Sequence, residues 1–280
     1  MNNFLHRLFT GAVFTGTLVG ATILSGWYLH AVLGILAVIM LSEFTKLFRA
    51  SAFTPDKLVV PILGGVIYLC FVLDLQIVAS RGMTTDYAIV LAIMALPILA
   101  TLELFRKKTT PLVNAALGFF GIIYVLLPMF LLNLLAVDSR SDEVIRILPV
   151  LSIFLIIWSN DTFAYLIGKG FGKHKMAERI SPKKTWEGFA GGFIFAVVCG
   201  IIIARITGES YVVYSCYGAV IAVCGTLGDL FESQIKRTLN VKDSGKMLPG
   251  HGGLLDRMDA SLFAIPAVYL LHTFVFNSAL

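Results

Sequence analysis

Apolar residues run along this chain in long blocks. They show neither the alternation of surface strands nor the one-sided stripe of soluble helices. Nine blocks can be marked, at about 8–26, 30–48, 58–79, 86–105, 111–137, 147–168, 187–205, 211–231 and 256–277. Each approaches the roughly 20 apolar residues that a bilayer-crossing helix needs. The first division is the least marked, because no Asp, Glu, Lys or Arg occurs from Leu8 to Ser42. That run is too long for one straight span. It divides at Ser25-Gly26-Trp27-Tyr28, where glycine permits a tight turn and the aromatics suit a membrane interface. The pattern predicts an all-α fold: a polytopic integral membrane helical bundle of about nine transmembrane helices. Residues 1–150 hold about five spans, and 151–280 hold the rest with two longer polar stretches, 169–186 and 232–255. No repeat and no matched pair of interrupted helices stands out.

Composition sharpens this picture. Of 280 residues, 58% are hydrophobic and 14% charged, far from the soluble norm. The polar stretches are too short for a separate nucleotide-binding domain, so any chemistry must be built from helix ends and loops. Arg7 before an uncharged run resembles a signal peptide, but no clear small-x-small cleavage pattern follows, and the segment reads as a retained first span. The four cysteines lie inside apolar runs without a CxxC pair, which suggests neither a zinc site nor a disulfide framework.

The net charge of +5 invites a nucleic-acid reading, but its distribution answers it. Counting Lys and Arg in the segments between spans, the odd-numbered ones hold seventeen and the even ones four, with Arg257 at the start of the last span. Positive charge accumulates in cytoplasmic loops, so the N-terminus is expected in the cytoplasm and the C-terminus outside. No interleaved aromatic loops or separate basic domain point to nucleic acid.

Ionisable groups within spans are functional candidates. Asn160-Asp161 interrupts the sixth span, Asp229 and Glu232 end the eighth, and Asp256, Arg257 and Asp259 begin the ninth. With the orientation above, Asp161, Asp229, Asp256 and Asp259 share one depth near the cytoplasmic face. Asp256 and Asp259 are three apart and so share a helix face, where they repel unless a cation such as Mg²⁺ lies between them. An acid-rich first turn that merely complements the helix dipole would look the same. Ser181-Pro182 reads as an N-cap and first helical residue of the seventh span, which places Lys183 and Lys184 in its first turn. There they oppose the dipole unless an anion binds, or else they simply mark the membrane boundary. Gly168-Lys169-Gly170-Phe171-Gly172-Lys173 looks like a phosphate-cradling loop but fits no nucleotide fingerprint. Gly250-His251-Gly252-Gly253 suits close backbone approach to a ligand, with His251 a donor or an incidental loop residue. Glu43 and Glu103 read as snorkelling boundary residues, and Asp74 receives no role. Clustered acids beside many basic residues are the parts of a divalent-metal phosphate site at the lipid boundary, accessible to a soluble nucleotide and to a lipid headgroup.

The stretch 233–259, from Ser233 through Lys236-Arg237, Lys242-Asp243, Pro249-Gly250-His251-Gly252-Gly253 and Asp256-Arg257-Met258-Asp259, resembles the signature of the phosphatidate cytidylyltransferase (CDP-diacylglycerol synthase) family of bacterial type. Asn160-Asp161-Thr162-Phe163-Ala164-Tyr165, Ser181-Pro182-Lys183-Lys184-Thr185-Trp186-Glu187-Gly188 and Gly228-Asp229-Leu230-Phe231-Glu232-Ser233 are similar to it too. The resemblance is strong over about 160–260, while the first 150 residues agree mainly in hydropathy. It implies transfer of CMP from CTP to phosphatidic acid, giving CDP-diacylglycerol and pyrophosphate, by a dimeric inner-membrane enzyme dependent on Mg²⁺, with a monovalent cation such as K⁺ in the same acidic centre. By motif, Asp229, Asp256 and Asp259 are the expected metal carboxylates. Lys236, Arg237 and His251 are expected at the reacting phosphates, with Lys242, Lys183, Lys184, Asp161, Asp243 and Arg257 in the same constellation.

Other classes fit less well. A transporter or channel would gather its polar residues near the midplane. A CDP-alcohol phosphatidyltransferase would carry an Asp-Gly-x-x-Ala-Arg pattern, and this chain has no Asp-Gly dipeptide. A lipid kinase would leave the long signature unexplained.

Overall fold

The computed structural model describes residues 3–24, 26–81, 86–138, 143–245, 247 and 252–276. Among them nine α-helices follow in order: α1 (Asn3–Leu24), α2 (Gly26–Leu47), α3 (Val59–Arg81), α4 (Tyr87–Phe105), α5 (Pro111–Asp138), α6 (Glu143–Phe171), α7 (Trp186–Thr207), α8 (Tyr211–Thr238) and α9 (Leu255–Leu271). Eight stretches in the described residues, from Gly26–Ala50 to Leu255–Val275, are long and apolar enough to cross a membrane, and Thr10–Leu24 is a shorter one. This is a polytopic helical membrane protein. Of the expected first turn, Ser25 lies outside the described residues, and Gly26 has φ +51°, a left-handed conformation that glycine adopts without strain. The chain forms two compact units, Met1–Asn133 with Leu239–Asp256, and Leu134–Thr238 with Arg257–Leu280.

In the first unit, α2 buries Leu33, Ala37, Met40, Leu41 and Phe44, the three- and four-residue spacing of one helix face. Phe44 meets Phe120 and Tyr124 of α5. Polar groups inside these helices satisfy one another, as a lipid environment demands. His30 Nδ1 lies 2.6 Å from Asn133 Oδ1, Asn133 Nδ2 donates to the Tyr68 hydroxyl at 3.0 Å, and that hydroxyl donates to the His30 carbonyl at 2.9 Å. Asp74 is buried and accepts from the Ala88 N–H in the first turn of α4 at 2.9 Å, a structural role the sequence did not disclose. Glu103 is buried as well, paired with Arg106 and accepting from Asn114 Nδ2 at 3.3 Å, so it does not snorkel. Asp56, in the link between α2 and α3, accepts from the Leu58 and Val59 N–H groups at 2.8 and 2.9 Å and pairs with Arg106 at 3.2 Å. Partial burial pushes its carboxyl up, but those amides and the guanidinium outweigh burial and hold it below the usual range.

In the second unit, α7 packs closely between α6 and α8. Small residues make this possible: a Cβ at Gly188 or Gly192 would run into α6 backbone, and one at Gly218 into the Ala196 carbonyl. Phe163 and Phe195 stack across the α6–α7 seam with centroids 3.6 Å apart.

The connection from α6 to α7 departs from expectation. Ser181–Thr185 is a strand, β2, paired antiparallel with β1 (Lys175–Ala177). The helix starts at Trp186, with Thr185 as N-cap accepting from the Gly188 N–H at 3.2 Å. Ser181-Pro182 therefore opens a strand, and Lys183 and Lys184 lie outside the helix. The competing local signal was Thr185, also a good cap, followed in the first turn by Glu187, whose negative charge suits the helix N-terminus. Glu187 fastens the base of the hairpin by accepting from the Lys173 and His174 N–H groups at 3.1 and 3.2 Å. Gly168 to Phe171 form the last turn of α6, so the expected glycine loop is mostly helix. Gly172 returns an N–H to the Gly168 carbonyl at 3.1 Å.

Candidate active site

Strand alternation explains why two adjacent lysines behave differently. Lys183 is exposed. Lys184 turns inward, where its Nζ lies 2.7 Å from Asp229 Oδ2 and donates to the Thr226 carbonyl at 3.3 Å. Asp229 Oδ1 also accepts from Ser233 one turn later at 3.3 Å. Gly228 allows α9 to come close to α8, because a Cβ there would meet the Asp259 carbonyl and the Ala260 Cα. That approach places Asp229 beside the first turns of α9. Asp259 Oδ1 accepts from the Ala260 N–H at 2.7 Å. On α6, Asp161 Oδ1 accepts from Asn160 Nδ2 at 3.3 Å. The charges of Asp161, Asp229 and Asp259 act on one another, and Lys184 and Arg257 act on Asp161. Three separate sequence stretches and the start of α9 thus form one electrostatic cluster.

Two more charged groups adjoin it. Glu232 is fully buried and forms an ion pair with Lys236 one turn along α8, and its charge reaches Asp259. Lys236 is therefore engaged within the helix. Arg237 is exposed and its Nε donates to the Ile180 carbonyl at 3.2 Å, tying the end of α8 to the hairpin. Arg237, Arg179, Ile180, Gln234 and Thr238 line a cavity of about 360 Å³.

In the other unit, the expected Asp256 carboxylate organises its own loop. It accepts from the Ser244 N–H through both oxygens, at 3.1 and 2.9 Å, and from the Gly253 N–H at 2.8 Å. Gly252, at φ +83°, leaves space beside Asp256 that a Cβ would fill. Asp243 is next to this turn, and Lys242 is exposed. His251 lies outside the described residues. Asp256 and Asp259 occupy consecutive turns of α9.

Sequence reasoning missed Glu43 as a site neighbour. It is buried, and its Oε2 accepts from the Leu255 N–H at 2.8 Å. The available signal was a single acid closing the long uncharged run, which looks the same as a boundary residue.

Among the described residues, no three His, Cys, Asp or Glu side chains converge as a ready-made metal cage. Mg²⁺ does not need one, since one or two carboxylates with water and substrate phosphates usually complete its octahedron. The hard oxygen donors of Asp229 and Asp259 fit that kind of site.

The chain matches the model of the cytidylyltransferase family over residues 5–275. It is 47% identical over 119 residues to a phosphatidate cytidylyltransferase of Bacillus subtilis, covering 42% of this chain and 44% of that one. It is 44% identical over 136 residues to one of Staphylococcus aureus, covering 48% and 51%. A Staphylococcus saprophyticus relative of the same name is 36% identical over 176 residues, covering 62% and 65%. The matched stretch spans about half the length of the first two curated relatives. With the family model covering nearly the whole sequence, the chain belongs to the cytidylyltransferase family.

Proposed function

We propose that this protein transfers CMP from CTP to phosphatidic acid, forming CDP-diacylglycerol and pyrophosphate. The observation that carries the reading is Lys184 held at 2.7 Å from Asp229, among further carboxylates carried on membrane helices, in a member of this family. In the reaction a phosphate oxygen of phosphatidic acid bonds to the α-phosphorus of CTP. The bond from that phosphorus to the bridging oxygen breaks, and pyrophosphate leaves with the electron pair. Phosphatidate is already ionised near neutral pH, so no strong general base is required. Lys184 and Arg257 offset the charge gathered by the phosphates, and Arg237, Lys183, Lys242 and His251 supply further cationic or donor contacts. Asp229 and Asp259, with Asp256 one turn away, would hold Mg²⁺. When bound, Mg²⁺ supplies charge neutralisation for the triphosphate oxygens. A monovalent cation such as K⁺ in the acidic centre, a homodimer, and a site facing the cytoplasm of a bacterial inner membrane belong to the same proposal. The unequal distribution of Lys and Arg supports the orientation.

The test is incubation of purified protein with phosphatidic acid, Mg²⁺ and radiolabelled CTP. Label is expected in the lipid phase, and Asp229→Asn is expected to abolish it. A wild-type protein that leaves all label in the aqueous phase refutes the reaction.

A further inference from the structure

A carboxylate buried in an apolar span is unfavourable unless hydrogen bonds replace its water. Glu43, only 4% exposed on α2, finds them in a distant part of the chain. Its Oε2 accepts from the Leu255 N–H at 2.8 Å and from Ser244 Oγ at 3.4 Å, partners 212 and 201 positions away in sequence. Ser244 connects Glu43 to Asp256: its N–H donates to both Asp256 oxygens, and its Oγ accepts from the Asp256 N–H at 3.3 Å. One glutamate therefore touches both ends of the segment between Ser244 and Leu255. Gly245 and Gly253 leave room for it, because a Cβ on Gly253 would lie 2.6 Å from Glu43 Oε2 and one on Gly245 would strike its Oε1.

We propose that Glu43 is a positioning residue: its carboxylate straps Ser244 and Leu255 to α2 and thereby sets the orientation of Asp256. The strap is a claim about the loop alone; its effect on turnover rests on the CMP transfer proposed above. A merely structural glutamate would, when replaced, loosen the whole bundle or nothing in particular. A strap loosens the loop first and slows the chemical step more than it weakens nucleotide binding.

The experiment combines hydrogen exchange by mass spectrometry with steady-state CMP transfer, using the full-length protein in detergent. Glu43→Gln keeps the shape and one acceptor oxygen, and Glu43→Ala removes both. Exchange in peptides covering 243–256 is expected to rise about 10-fold in Glu43→Gln and more in Glu43→Ala, with peptides of α7 and α8 unchanged. The value of kcat is expected to fall about 10-fold or more, with KM for CTP held within about threefold. Ser244→Ala removes only the bridging hydroxyl. It is expected to move both readouts the same way by less, and it serves as the second variant should Glu43 substitutions impair folding. Unchanged loop exchange, a uniform rise across all helices, or a normal kcat despite a loosened loop would each overturn the proposal. A wild-type protein inactive towards CTP and phosphatidic acid would refute the reaction instead, and the exchange arm would decide the strap by itself.

Discussion

Replacing Lys184 by alanine separates a catalytic cation from a structural ion pair. Two unit charges 2.7 Å apart attract by about 6 kcal/mol at an effective dielectric near 20. That figure overstates the contribution to folding. The two side chains are 24% and 37% exposed, so water screens them, and fixing a lysine carries an entropy penalty. A surface-type pair of this kind contributes about 1 kcal/mol or less, a shift in Tm of only a few degrees. The lost donor to the Thr226 carbonyl adds little more, since that carbonyl already serves the α8 ladder. Transition-state stabilisation follows a different scale. Removing one preorganised cation or donor from a site where phosphate charge develops costs about 100-fold in turnover, or about 2.7 kcal/mol. The expected result for Lys184→Ala is a fall of about 100-fold in kcat/KM with Tm lowered by no more than a few degrees. Lys184→Arg keeps the charge with a different donor geometry and is expected to recover part of the rate. The assay is incorporation of labelled CMP into lipid in mixed micelles, beside a thermal melt of the same preparations. Unchanged kcat/KM would reduce Lys184 to a boundary residue, and a rate loss matched by an equal loss of folded protein would make it structural.

Gly253→Ala would drive a methyl group against Ser244 Oγ and Glu43 Oε2, so stability is expected to fall by about 1–3 kcal/mol, measured as the shift in thermal midpoint. A midpoint equal to wild type would show that the loop does not depend on that close approach. Asp56, held below the usual carboxyl range chiefly by the Val59 and Leu58 amides acting against its burial, gives a pH dependence. The unfolded chain takes up the proton first as pH falls. The stability from this group is therefore complete above the unfolded value of about 4 and is lost as pH drops through the lower folded value. The midpoint difference between wild type and Asp56→Asn should shrink between pH 5 and pH 3. A difference constant over that range refutes it.

The sequence was most informative where the physics is local. A stretch of 35 residues without charge had to turn somewhere, and the one glycine flanked by interface aromatics is where φ becomes positive. The positions of the long apolar spans were equally legible, since bilayer thickness sets span length, although α8 runs on to Thr238, past the expected boundary near 231. The same local reasoning failed at residues 181–185. Ser-Pro is a good helix start taken alone, but a strand is decided by its partner, and the pairing of Lys175 with Thr185 leaves no mark on either segment. That error concealed the most useful feature of the site. In a helix, Lys183 and Lys184 would lie about 100° apart and both could face the phosphates. In a strand they point to opposite faces, and only Lys184 meets Asp229.

Glu43 shows the other limit. An acid at the end of a span fits a snorkelling residue until its distant partner is known, and here that partner is more than two hundred positions away. Motifs singled out Asp229, Asp256 and Asp259 without revealing that their surroundings differ. Asp229 faces a lysine, Asp259 accepts from the N–H of Ala260 beside other carboxylates, and Asp256 joins the Ser244 and Gly253 amides. Equivalent letters in a signature acquired unequal surroundings because backbone N–H groups claimed one carboxylate and a side-chain cation another. Substitutions at the three positions should therefore differ in kind: Asp256→Asn should loosen the Ser244 amide that Asp229→Asn leaves untouched, a distinction that hydrogen exchange reads directly.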